Sequence, residues 1–184
     1  MNKFLSVRIQ QRVKSLFSVM ILVALLMLPL ACATIGKQPS INEVKAKVEG
    51  TWILEEWQIK GQAVSPPKVE GRFIVHDNAI VLILLNRVGE VPWSHYAYGK
   101  YTLDPSEFSL GLDEVSTFKE LVSGITVSHK PPWEGMKSFG VSRKNNQLVM
   151  RCADDGSEII VEGDTLILEH NGKITRTYRR AGGK

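Results

Sequence analysis

Residues 147–180 read QLVMRCADDGSEIIVEGDTLILEHNGKITRTYRR. Short apolar runs at Gln147–Cys152, Glu158–Val161, Thr165–Glu169 and Lys173–Arg180 are separated by Asp154-Asp155-Gly156, Glu162-Gly163-Asp164 and Asn171-Gly172. Gly, Asn and Asp supply the backbone conformations that tight turns need, so the succession is that of antiparallel strands. Asn171-Gly172, between Leu168 and Ile174, is the strongest hairpin signal, because a two-residue type I′ turn requires positive φ at both central positions. The side-chain period agrees. Leu148, Met150 and Cys152 alternate with Val149 and Arg151; Ile174, Arg176, Tyr178 and Arg180 share a face opposite Lys173, Thr175, Thr177 and Arg179. Period two with unlike faces marks a sheet that has one side wet.

The same pattern extends back to residue 51. Strands are predicted over Thr51–Lys60, Gly71–His76, Ala79–Leu85, Tyr96–Leu103, Phe108–Leu112, Gly124–His129 and Met136–Arg143. Asp77-Asn78, Asp104-Pro105-Ser106 and Lys144-Asn145-Asn146 provide turns. About ten strands joined mostly by short turns imply a meander. The fold class is therefore all-β: an antiparallel up-and-down β-barrel of about 8–10 strands, which removes exposed edges, with an open sandwich as the alternative. A short N-terminal helix is predicted over Ile41–Val48, where Ser40 and Glu43 have capping-box spacing. Ala79–Leu85 (AIVLILL) does not alternate and is expected to be covered on both sides, with that helix as the outer cover.

The segment before the barrel has a different character. Lys3, Arg8, Arg12 and Lys14 precede an apolar run, Val19–Leu28, and Pro29 breaks it ahead of Ala31-Cys32-Ala33. Charge, apolar run and small residues in that order form a secretory signal over 1–33, with about ten apolar residues where a spanning helix needs roughly 20. Two processing readings stay open: cleavage after Ala33, or a lipoprotein signal over 1–31 with acylated Cys32 as the first mature residue. Leu28 lies one position too far from Cys32 for the usual lipobox. Residues 34–40 form a polar lead-in, and 41–181 the folded domain. The leader holds four of the 23 basic residues and none of the 19 acidic ones. The remaining chain is neutral, which argues against nucleic acid as a partner. Localisation is periplasmic or secreted, with a membrane contact only through lipidated Cys32. Of the two cysteines only Cys152 lies in the domain, so the fold is expected to stand on its core rather than on an internal disulfide.

Gly50-Thr51-Trp52, placed after a short helical turn at the start of the first strand, resembles the G-x-W signature of lipocalins and related calycin barrels. Pro66-Pro67, Gly71-Arg72-Phe73, Tyr98-Gly99-Lys100-Tyr101 and an Arg-rich last strand make the pattern similar to small bacterial lipocalin-like domains over about 50–180. The threonine-aspartate-tyrosine motif of typical lipocalins and the long helix before their last strand are missing. The resemblance implies that Trp52 seals the barrel floor beneath an arginine of the final strand, Arg179 or Arg180, as a cation–π stack.

Candidate chemistry is sparse. His76, His95, His129 and His170 fall in four separate segments, so neither metal nor cofactor is expected. No nucleophile-elbow motif frames Ser65 or Ser94-His95. Asp154-Asp155-Gly156 lacks the later ligands of a calcium loop. The aromatic loops are more informative. Trp93, Tyr96, Tyr98 and Tyr101, together with Trp133, are the candidate ligand-binding residues of a barrel mouth. Trp93 and Trp133 acting as plugs is the competing reading. Glu56 and Gln58 share the Trp52 and Leu54 face unless a bulge turns them to solvent. The expected function is an exported monomer that binds or carries a small apolar molecule. The alternatives are an isomerase- or cyclase-type enzyme with an ionisable group beside Tyr98 or Tyr101, or an envelope scaffold with a filled barrel.

Overall fold

A computed structural model describes residues 38–131 and 133–183. The predicted export signal, Cys32 and most of the polar lead-in therefore lie outside the described residues. Helix α1 (Ile41–Val48) precedes the strands β1 (Gly50–Ile59), β2 (Gln62–Val64), β3 (Val69–His76), β4 (Ala79–Asn86), β5 (Trp93–Leu103) and β6 (Glu107–Leu121). They are followed by β7 (Gly124–Ser128), β8 (Met136–Lys144), β9 (Gln147–Arg151), β10 (Ser157–Glu162), β11 (Thr165–His170) and β12 (Lys173–Arg180).

Ten of these strands close an antiparallel ring in the order β1, β3, β4, β5, β6, β8, β9, β10, β11, β12, and β12 returns to β1. Closure runs from Trp52 opposite Arg180 to Trp57 opposite Arg176. Closure pairs the first strand of the meander with the last, so neither is left as an open sheet edge. The fold is thus the all-β barrel with one short helix that the sequence predicts. Two of its hairpin turns have left-handed backbone at both central residues: Asp77 and Asn78 at φ 46° and 63°, and Asn171 and Gly172 at 52° and 72°. That geometry matches the right-handed twist of the flanking strands.

Two short strands flank the ring. β2 pairs with the second half of β1, after a turn at Lys60 and Gly61 that has positive φ at both positions. β7 pairs with Thr117–Leu121 of β6, whereas Glu107–Gly111 of the same strand pair with β8. The sequence assigns only Phe108–Leu112 to a strand; β6 continues to Leu121 because β5 pairs with it from Phe108 to Lys119 and β7 from Thr117 to Leu121. The join is tight: a Cβ at Gly99, beside the bulge at Tyr98/Gly99, would stand 1.9 Å from the Gly111 carbonyl oxygen. Between its two partners β6 has a side unpaired among the described residues, and the ends of the loop between β7 and β8 lie beside it. His129 Nδ1 lies 3.1 Å from Ser116 Oγ at one end of this loop.

One end of the barrel is sealed by α1. Ser40 Oγ accepts from the Glu43 amide at 3.2 Å, but the Glu43 carboxylate pairs with Arg143 at 3.0 Å instead of completing a capping box. Val44 and Val48 are buried, and the Trp52 indole donates to the Val48 carbonyl at 2.9 Å. The helix is thus an end cap, which corrects its expected place over the outer face of β4. On that face Val81, Ile83 and Leu85 are half-buried, and Val81 and Ile83 share a shallow depression with Tyr96 and Tyr98. Above the cap the core rises through Tyr101, Phe108 and Phe139, with ring centroids 5.6 and 6.2 Å apart. Cys152 is buried in the same core as a free thiol.

Candidate functional site

The end opposite α1 holds a cavity of about 240 Å³ inside the ring. Its apolar wall includes Phe73, Ile80, Leu82, Leu110, Phe139 and Ile159. These positions belong to β3, β4, β6, β8 and β10, so the wall is made by the inward period-two face of many strands. Trp133, from the loop between β7 and β8, covers one side. Lys137, Glu169, His170, Arg176 and Tyr178 add polar groups to the apolar surface.

Arg176 and Tyr178 face inward from β12, two residues apart. The Arg176 guanidinium lies 4.4 Å from the centroid of the Trp57 ring, and Trp57 meets Trp93 edge to face at 5.5 Å. Stacking of this kind holds a guanidinium plane without consuming its donors. Tyr178 is fully buried, and burial pushes its phenol above the ordinary range, opposed by the charge and close approach of the Arg176 guanidinium, which makes no well-aligned hydrogen bond to it. His95 donates to or accepts from Thr117 through a 2.9 Å contact; burial and then the Arg176 charge hold its imidazole below the ordinary value. Lys137 lies 5.5 Å from the Trp133 ring centroid and is committed to Asp155 at 2.5 Å. Its hydrogen bond drives the Asp155 carboxyl well below the usual carboxylate range.

Three buried side-chain atoms have no hydrogen-bond partner among the described residues: Trp133 Nε1, Arg176 Nε and the Tyr178 hydroxyl. All three residues line this one cavity. Unpartnered buried polar atoms are rare and costly, so their convergence marks the place where the barrel departs from simple packing.

The predicted ligand residues divide. Trp133 lines the cavity and Trp93 supports it through Trp57. Tyr96 and Tyr98 are on the outer face, 42% and 50% exposed, because Ala97 between them takes the inward position. Tyr101 is inward but at the sealed end, where its hydroxyl donates to Glu49. None of these three tyrosines lines the cavity. Arg176 and Tyr178 were not among the predicted ligand residues, although their shared face was visible in the alternation of β12. Glu56 leaves the inward face through a bulge between Leu54 and Glu56, and its carboxylate accepts from Gln58 at 2.9 Å.

At the sealed end the Arg180 guanidinium lies 4.1 Å from the Trp52 ring centroid and donates to the Glu49 and Lys47 carbonyls, the latter at 2.6 Å. Burial lowers its pKa, and Asp164 at 3.7 Å opposes that. Gly50 gives it room. Arg179 points outward to Glu55. Glu49, His76 and Asp77 also bring ligating atoms within 4.8 Å of one another here, but Glu49 is engaged by Tyr101 and Lys45.

Fold and site together define a closed ten-stranded antiparallel barrel, capped by a helix at one end and hollow beneath a tryptophan at the other. No protein-family model matches the chain, and no curated protein or solved structure matches it at a significant level.

Proposed function

We propose that the protein is an exported, lipocalin-like carrier that holds a small, largely apolar molecule in the barrel. The observation that carries this reading is the apolar cavity of about 240 Å³ beneath Trp133. At roughly 30 Å³ per water, that space equals about eight waters, a fit for a compact ligand or short chain. Transfer of an apolar body from water into such a wall is favourable at about 25 cal/mol per Å². A filled scaffold barrel has no use for such a space, and the inward Tyr101 of the enzymatic reading stands beside Glu49 at the sealed end, away from this cavity.

Titration with 1-octanol, followed by the emission of the tryptophans near the cavity and by calorimetry, tests the carrier reading. Saturable binding at one site supports it; no binding up to the solubility limit overturns it. In the same reading, residues 1–33 direct export and the domain works as a monomer outside the cytoplasm. The mass of the mature N-terminus then separates cleavage after Ala33 from acylation at Cys32.

A further inference from the structure

The outer face of β3, β4, β5 and β6 is apolar where a sheet face turned to water is ordinarily polar. Pairing sets its side chains in rows: Ile74, Val81 and Tyr98 in one, Ile83 and Tyr96 in the next. A third row holds Leu85, Ser94 and Phe118. Tyr96 and Tyr98 are exposed, and Tyr96 meets Phe118 edge to face at 5.8 Å. Ala79–Leu85 has apolar side chains on both faces, and α1, seated at the barrel end, leaves the outer one uncovered. A contiguous patch of this kind marks a contact surface.

The charges bordering the patch choose its occupant. Exposed Arg72 stands on β3 beside Ile83, and exposed Glu114 stands on β6 beside Tyr98. Neither makes an ion pair among the described residues, whereas Glu70 pairs with Arg87 and Lys100 with Asp113. A cation on one flank and an anion on the other are complementary to the same surface turned by a two-fold rotation. An axis parallel to the strands, between β4 and β5, lays β3 of one copy over β6 of the other. Arg72 then faces Ser116 of the second copy. Glu114 lies two residues further, about 6.6 Å along the strand and within an arginine's span; Glu120, four residues the other way, is about twice as far. Charge outside residues 1–33 is balanced, so no net repulsion opposes the approach.

We propose that this outer wall is an interface between two copies of the chain, centred on Val81, Ile83, Tyr96 and Tyr98 and flanked by two Arg72–Glu114 pairs. The inference goes beyond the carrier reading and does not rest on it. The single barrel remains the carrying unit, and pairing is a concentration-dependent association of two. Convex walls touch over a limited area, so the pair belongs with small, weak interfaces, with Kd on the order of 10–100 μM.

Sedimentation equilibrium of the exported protein, from about 1 to 500 μM, tests it. A reversible monomer–dimer equilibrium is expected, and Tyr98→Glu is expected to abolish it by placing a charge at the centre of the contact. Arg72→Glu and Glu114→Arg are each expected to raise Kd on the order of tenfold, and the double variant to restore it, because reversal of both charges remakes the pairs. A protein that stays monomeric throughout overturns the proposal, including one that binds phosphatidylcholine vesicles through this wall instead. Dimerisation indifferent to Tyr98→Glu also overturns it, as does a double variant that fails to recover. Circular dichroism checks the fold of each variant, and Tyr98→Ser replaces Tyr98→Glu should the latter not fold. Titration with 1-octanol decides the carrier reading separately, so either idea is able to fail alone.

Discussion

Arg180 is the side chain on which the sealed end depends most. Its guanidinium stacks on Trp52 at 4.1 Å and donates to the carbonyls of Lys47 and Glu49, tying the last turn of α1 to the last strand. Arg180→Met keeps the stem and removes all of this. Hydrogen bonds from a charged donor contribute about 1.5–3 kcal/mol, and a cation–π stack about 0.5–2 kcal/mol. These are not additive, and the partly exposed carbonyls regain water, so a net loss of about 3 kcal/mol is expected. For a domain of this size that lowers Tm by about 6–12 °C. Arg180→Lys is expected to fall between the two, because an ammonium keeps the charge but not the fork that spans both carbonyls and the ring. Urea unfolding followed by circular dichroism and Trp52 emission measures both variants, and a double-mutant cycle with Trp52→Phe isolates the stack. A loss below about 1 kcal/mol for Arg180→Met, or no coupling to Trp52, would refute the clamp.

Gly50→Ala attacks the same clamp from the other side. At φ 143° a Cβ would stand 2.6 Å from Arg180 Nη1, so a loss of about 1–3 kcal/mol in chemical denaturation is expected. Tyr178→Phe removes a buried hydroxyl that lacks a partner among the described residues, and is expected to raise stability in urea unfolding by about 1 kcal/mol. Leu82→Phe adds volume to the cavity wall and is expected to reduce 1-octanol affinity by roughly tenfold, measured by calorimetry. The Tyr101 phenol is pushed up to about 12 by burial and its bond to Glu49. Its folded value exceeds its unfolded one, so its contribution to stability is present below pH 10 and is lost as pH rises from about 10 to about 12. Tyrosinate absorbance should show a step near pH 12 that Tyr101→Phe removes.

How far the sequence could be read follows from which interactions are local. Hairpins such as Asp77-Asn78 and Asn171-Gly172 were legible because a tight turn needs positive φ at particular residues, a demand made within two positions of chain. Alternation in β12 revealed which side chains share a face, including Arg176 and Tyr178. Alternation is reliable only until a bulge resets it. The bulge at Leu54/Glu56 decides which of Glu56 and Trp57 turns inward, and no local residue pattern announces it. On β5 the alternation is unbroken, with Ala97, Gly99 and Tyr101 inward and Tyr96 and Tyr98 outward. Tyr96 and Tyr98 read as mouth residues from the aromatic mass of their segment, but the period of β5 puts them on the outer wall.

By itself, then, the order of residues determined an all-β meander, its principal hairpins, the helix over Ile41–Val48 and the balance of charge outside residues 1–33. Those properties depend on backbone preference and period, which each segment carries alone. Tertiary structure decided that the ring closes through β1 and β12, that α1 caps one end, and that Trp133, Arg176 and Tyr178 meet at a common cavity. These three come from a loop and a strand more than forty residues apart, and only closure of the sheet brings them to one place.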